Sequence, residues 1–252
     1  MNHIADHTTK TYLASRHAIE LCLKRHLDKD YYARAQSLWL WHKAQEMENL
    51  ITQAHSLKIP VQIIQSPDKI PEYARQDMIN NQHILWIEPI HNDIKTFDWD
   101  KARTLVVVDH ITDAQNLGAI IRSACALQVD ALFYPKNAQA SVSSRVRFIA
   151  QGAAELLPCY RIPNVNQWLS QAQKKGFWVY GFCEGGTLPL NTTIFSTKCV
   201  LVIGSEDQGI RNQTAALCDY LVNIPTSPSF SCLNAASAAS IIMYERFRQL
   251  LL

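Results

Sequence analysis

At 252 residues, with 48% apolar and 18% charged side chains, the chain can form one large or two moderate domains with a sizeable core, and two is the expectation. Such usage resembles that of ordinary globular proteins, so disorder is not the default, and no run reaches the ~18 consecutive apolar residues that a membrane span needs. A formal net charge of +2 is too small to announce a nucleic-acid partner through the bulk field, so any RNA contact must come from local clusters.

The opening MNHIADHTTKTYLA has no apolar stretch and does not read as a secretory signal, so the mature chain is expected to begin there. Ser15 is placed to cap a helix through His26, with Ala18, Ile19, Cys22 and Leu23 at helical spacing and Lys24, Arg25 and His26 favouring its C-terminal end. Ser37 to Trp41 reads as a strand. A helix over Lys43 to Leu57 is stopped by Pro60 before a strand at Val61 to Gln65, and a short helix is expected near Asp68 to Arg75. His83 to Glu88 closes the first unit as a strand, and the aperiodic stretch Pro89 to Arg103 marks the boundary between domains at 1–95 and 96–252.

From Thr104 the pattern alternates strand and helix: LVVVD, a helix from about Leu117, ALFYP, a helix near Val142 to Ala154, a helix at Asn166 to Lys175, then WVYGFC, CVLVIG and YLVNIP. Alternation of this kind predicts a parallel sheet in both units, most clearly in the second. Seven cysteines lie too far apart for zinc-ligand or redox-motif spacing, so no metal is expected and reduced thiols of a cytoplasmic protein fit best. Basic candidates for RNA contact are Arg16 with His17, Lys24-Arg25-His26, Arg145 with Arg147, and Arg246 with Arg248; each also fits an ordinary solvated face.

In open α/β sheets ligands bind outside the carboxyl ends of the strands, which selects three loops. In DHITDAQNLGAIIRSA (109–124), Asn116 sits at the helix start, and Arg122, on the face of Gly118, can aim its guanidinium back at the loop and a phosphate held there. In LVIGSEDQGI (201–210), Gly204 and Gly209 let backbone approach a ligand, and Glu206 places a carboxylate at the strand end. In VNIPTSPSFSCLNAASAASIIMYE (222–245), Asn234 offers donor and acceptor groups before a helix of small residues.

Taken in order, together with QGAAELLPCYRIPN (151–164), these segments resemble the motifs of the SpoU (TrmH) family of RNA 2′-O-ribose methyltransferases in the SPOUT superfamily, over about residues 104 to 250. The resemblance implies a C-terminal α/β domain with a mainly parallel sheet and a deep trefoil knot, S-adenosylmethionine (SAM) as methyl donor, structured RNA (transfer or ribosomal) as substrate, and a homodimer with each site completed near the partner subunit. It further implies that backbone around Gly204, Ile224 and Leu233 holds SAM and that Asn116, Arg122, Glu206 and Asn234 are the catalytic-region polar residues. Arg122 would bind the adjacent phosphate and stabilise the developing alkoxide, a guanidinium being a poor base unless strongly perturbed; whether it also takes the proton is left open by the sequence. The N-terminal unit, through ASRHAIELCLKR (14–25), is similar to the small α/β RNA-binding domain that several members carry, which makes Arg16, Lys24 and Arg25 the expected RNA contacts.

Departures from the family pattern are specific. His110 stands for a usual glycine, Ala114 for a proline, Gln128 for a glycine and Pro228 for a glycine. Cys232 and Ala236 replace two serines, with Cys232 expected to be a small buried substitute rather than a nucleophile. The missing hydroxyls favour, as the rival reading, a fold-retaining RNA-binding or assembly factor with weakened turnover. A SPOUT base methyltransferase is a second alternative, whereas a dinucleotide dehydrogenase is disfavoured because no G-x-G-x-x-G follows any expected strand.

Overall fold

Residues 11–28, 31–42, 44–45, 47–89, 93–136, 140–206, 208–229 and 231–252 are described by a computed structural model. The chain divides into two units, Met1–Ile90 and His91–Leu252.

The first unit runs β1 (Thr11–Leu13), α1 (Arg16–Arg25), β2 (Ala33–Trp41), α2 (Glu48–Ser56), β3 (Val61–Ile64), α3 (Glu72–Asn81) and β4 (His83–Pro89). Ser15 caps α1 as its position suggests, accepting from the Ala18 amide, and α1 buries Ala18, Ile19, Cys22 and Leu23. The expected parallel sheet is not found in this unit. In the order β1-β4-β2-β3, β4 runs antiparallel to both β1 and β2, and only β2 and β3 are parallel. The alternation of strands and helices did not reveal β1, a three-residue strand, nor that β4 enters between β1 and β2. The helix expected near Asp68 to Arg75 is split: a 3₁₀ turn covers Pro67–Lys69, and α3 begins only after Pro71, whose ring fits a helix start but not its interior. α2 starts at Glu48, while the expected start at Lys43 lies outside the described residues.

The second unit contains β5 (Thr104–Asp109), α4 (Ala114–Ala126), β6 (Ala131–Pro135), α5 (Ser144–Ala150), β7 (Cys159–Ile162), α6 (Val165–Lys174), β8 (Trp178–Phe182), β9 (Leu188–Pro189), β10 (Cys199–Gly204), α7 (Asn212–Ala215), β11 (Tyr220–Asn223) and α8 (Ala235–Leu250). Its seven strands are parallel in the order β7-β6-β5-β10-β8-β11-β9. Successive residues of β5 serve opposite faces. Val106 and Val108 pack with Leu117, Ile121, Ala239 and Ile242 of α4 and α8, and Leu105 and Val107 pack with Val165 and Leu169 of α6. A strand buried on both faces reads as a continuous apolar run, which is why LVVV and VLVI were visible as strands.

Local differences have local causes. α4 begins at Ala114, earlier than expected, because Asp113 caps it by accepting from the Gln115 amide. The helix expected over Val142 to Ala154 ends at Ala150, where Gln151 (φ 54°) and Gly152 (φ 92°) turn left-handed before a 3₁₀ turn at Ala153–Glu155. His110 (φ 66°) and Gln128 (φ 56°), two positions where the family pattern carries glycine, also adopt left-handed backbone, the conformation glycine adopts without steric cost.

Candidate active site

Three strand-end segments of the second unit converge. Asn116, in the first turn of α4, donates through Nδ2 to Oε1 of Glu206 at 3.2 Å. Asn234, the cap of α8, donates through Nδ2 to Oδ1 of Asn116 at 2.9 Å and to Oε1 of Glu206. The Ala235 amide donates to the same Glu206 oxygen at 3.1 Å, and the Asn234 Oδ1 accepts from the amides of Ala236 and Ser237. One carboxylate oxygen therefore gathers donors from the first and third segments, and the two asparagine amides are fixed by each other and by the α8 N-terminus.

Beside this triad lies a cavity of about 580 Å³. Gly204, Glu206 and Gly209 line it from the β10 loop, Ile224 from the end of β11, and Cys232 and Leu233 from the segment before α8. Gly204 has a steric reason for its identity: a Cβ there would lie 2.0 Å from the Gly209 carbonyl carbon, because Ser205 and Gly209 pair back on each other through amide-to-carbonyl bonds of 3.1 and 2.9 Å. The three residues expected to hold a cofactor thus face one hollow, of the size that takes small ligands.

Arg122 is not brought to the triad within the chain. At about 100° of rotation per residue it lies roughly 240° round α4 from Asn116, is exposed, and makes no hydrogen bond or ion pair among the described residues. Gly118, by contrast, faces α5, where a Cβ would meet Ile149 Cβ at 2.6 Å, so this glycine serves helix packing. Cys232 corrects its expectation: it is exposed at the cavity rather than buried.

Several basic candidates also change role. Arg147 is buried and paired with the fully buried Glu155. Arg246 is buried and donates to Thr104 Oγ1 at 3.1 Å and to the Thr197 carbonyl at 2.9 Å. Neither is available to RNA. In the first unit Arg16 pairs with Glu20 at 2.9 Å and Arg25 with Asp28 at 2.7 Å, while Lys24 is exposed. His26 faces inward and accepts from the Ala35 amide through Nδ1 at 3.1 Å.

Two features escaped the sequence reading. Cys183 and Glu184, following β8, also line the cavity, and the rule that ligands sit beyond the carboxyl ends of strands would have found them. The second is the buried carboxylate of Asp109 at the end of β5, whose partners Arg211 and Thr214 lie more than 100 residues later and left no local signal.

The profile of the SpoU rRNA Methylase family matches residues 103–244. The chain belongs to this family. A Synechocystis sp. protein described as an uncharacterised tRNA/rRNA methyltransferase is 39% identical over 148 residues, covering 59% of this chain and 38% of that protein, so the match spans well under half of that relative. The 23S rRNA (guanosine-2′-O-)-methyltransferase RlmB of Pseudomonas aeruginosa is 30% identical over 239 residues, 92% of this chain and 94% of RlmB. The crystal structure of the SpoU methyltransferase AviRb from Streptomyces viridochromogenes, in complex with the cofactor AdoMet, superposes with a TM-score of 0.78 at 25% identity, covering 96% of this chain and 91% of AviRb. The mixed α/β architecture with its seven-stranded parallel sheet is therefore that of the SpoU family. Among the described residues no group of three or more His, Cys, Asp or Glu is placed to hold a metal ion, and no helix is long and apolar enough to cross a membrane.

Proposed function

We propose that this chain transfers a methyl group from SAM to a ribose 2′-hydroxyl of structured RNA, ribosomal RNA in the first instance, and that it acts in the cytoplasm as a homodimer. The observation that carries this reading is the convergence of Asn116 and Asn234 on Glu206, which lines one cavity with Gly204, Ile224 and Leu233. The residues present fit SAM. The Gly204–Gly209 turn brings bare backbone to the cavity wall, Phe182, Ile203, Val222 and Leu233 offer apolar surface for an adenine, and Asn223 in the lining carries a buried amide oxygen with no hydrogen-bond partner among the described residues. Bound there, SAM would supply an electrophilic sulfonium methyl.

The chain's own residues then have separable tasks. Gly204, Ile224 and Leu233 hold the donor. The Asn116–Glu206–Asn234 triad orients the polar rim where the 2′-hydroxyl must arrive in line with the methyl. Arg122 binds the neighbouring phosphate and stabilises the alkoxide as its proton leaves. Because Arg122 faces away from its own chain's triad, the homodimer is what delivers it: the guanidinium of one protomer serves the cavity of the other. Ile241 and Tyr244, 42% and 56% exposed on α8, are apolar surface available to such a partner. The knotted path of the C-terminal domain belongs to the same proposal, as does the assignment of residues 1–95 to RNA binding through Arg16, Lys24 and Arg25.

The test is methyl transfer from tritium-labelled SAM to protein-free ribosomal RNA, followed by nuclease digestion and mass spectrometry. Label on ribose is expected. Label on a base overturns the ribose assignment in favour of base methylation, and absence of SAM binding by calorimetry, with or without RNA, overturns the enzyme reading in favour of a non-catalytic assembly factor. Light scattering should give twice the mass of one chain.

A further inference from the structure

Asp109 closes β5 directly beside Gly204 of β10, and its side chain is entirely buried. Four contacts occupy its carboxylate. His110 Nδ1 lies 2.7 Å from Oδ1 and Arg211 Nη2 donates to the same oxygen at 2.9 Å, while Arg211 Nε donates to Oδ2 at 3.2 Å and Thr214 Oγ1 donates to Oδ2 at 2.9 Å. Burial works to raise the carboxyl pKa, but the bonds from Arg211, His110 and Thr214 together hold it below its ordinary value, so the group is an anion with its acceptor sites filled.

Arg211 is differently placed. Its side chain keeps 41% of its exposure, and its fork spends two of five N–H groups on Asp109. Three donors remain on a side chain that is partly exposed, while the carboxylate it pairs with is fully buried. A buried ion pair is a weak source of stability, but it does fix a long side chain in one rotamer. His110, a half-buried partner, sits in left-handed backbone, a conformation that costs a non-glycine residue some strain. Both residues ride on the segments that carry the triad: His110 leads into Asn116, and Arg211 follows Glu206 by five positions.

We propose that Arg211 contacts a phosphate of the substrate RNA and that Asp109 is a positioning residue that holds its guanidinium ready. A planar fork fixed in advance suits bidentate phosphate recognition and loses little freedom on binding. Neither residue lines the SAM cavity, so the effect falls on RNA rather than on the cofactor. This inference rests on the reading of the chain as an RNA-modifying enzyme.

The experiment measures filter binding of protein-free 23S ribosomal RNA across a salt series, calorimetric SAM binding and the thermal midpoint for three proteins: wild type, Arg211→Ala, and the double variant Asp109→Asn with Arg211→Gln, which leaves no orphaned buried charge. In Arg211→Ala, RNA affinity is expected to fall about tenfold, the salt slope to shrink by about 1, and SAM affinity to stay within about twofold. The double variant is expected to fold and to remain as weak for RNA. Unchanged RNA affinity in Arg211→Ala, or wild-type RNA affinity in the double variant, overturns the proposal and leaves the network purely structural. A wild-type protein that binds SAM but no RNA overturns instead the RNA-substrate reading on which it rests.

Discussion

Asn116 and Asn234 lie 118 residues apart, and Nδ2 of the second donates to Oδ1 of the first across 2.9 Å, over the carboxylate of Glu206. Removing the common acceptor tests how much the arrangement depends on it. In Glu206→Ala the two asparagine amides and the Ala235 amide lose their acceptor, which costs about 1–3 kcal/mol where such groups are shielded from water. A lower thermal midpoint is expected together with a methyl-transfer rate down by about 10²-fold or more, the scale of losing one preorganised polar contact. A variant as active as wild type would remove the triad from the mechanism.

Arg122 gives the opposite pattern. Exposed and unbonded among the described residues of its own chain, it contributes little to stability. Arg122→Ala is expected to abolish methyl transfer while leaving the thermal midpoint and SAM affinity nearly unchanged. Mixing it with a Gly204 variant that cannot hold SAM should restore part of the activity, because the heterodimer then owns one complete site. No recovery in the mixture would count against shared sites.

Gly204→Ala addresses the cofactor. With a methyl 2.0 Å from the Gly209 carbonyl carbon, the Ser205–Gly209 turn must open, and the backbone that lines the cavity moves with it. Calorimetry is expected to show SAM affinity reduced by at least about tenfold. Wild-type affinity would mean that the turn relaxes without consequence.

The first unit should be sensitive to mild acid. His83 is buried with neither ring nitrogen hydrogen-bonded among the described residues, and burial, with the nearby Arg16 charge, holds its pKa below the usual 6.5. His26 shifts the same way, through burial and Arg34. A histidine that resists protonation only when folded gives stability that is complete above pH 6.5 and drains as pH falls below it, because the unfolded chain then takes up the proton first. Asp109, depressed in the folded state, has its window lower, below its ordinary 3.8. Amide protection factors over residues 83–88, taken against the intrinsic exchange rate at each pH, are expected to fall between pH 7.5 and 5.5, less so in His83→Leu; equal protection factors at both pH values would refute the assignment.

The sequence disclosed the second unit far better than the first. Its parallel strands are buried on both faces, so LVVV and VLVI stand out as apolar runs, and the loops after them carry Asn116, Glu206 and Asn234. In the first unit β4 inserts between β1 and β2 with reversed direction, and nothing in the periodicity of His83 to Glu88 encodes direction. The basic clusters misled for a related reason: charge counts cannot tell Arg147 and Arg246, which neutralise or satisfy buried groups, from residues that meet solvent. Arg122 was legible as a residue but not as a direction, since a helix position six places from Asn116 faces elsewhere.

The capping role of Asn234 has a consequence for the order in which activity appears. During synthesis every strand of the parallel sheet is made before the residue that completes the polar rim, and the cap that orients that residue exists only once α8 has formed behind it. A nascent or clipped chain ending short of Asn234 would carry the Gly204–Gly209 turn and the direct Asn116–Glu206 bond yet lack the second amide that braces both partners. On the proposed function, the complete polar rim is present only once α8 has formed.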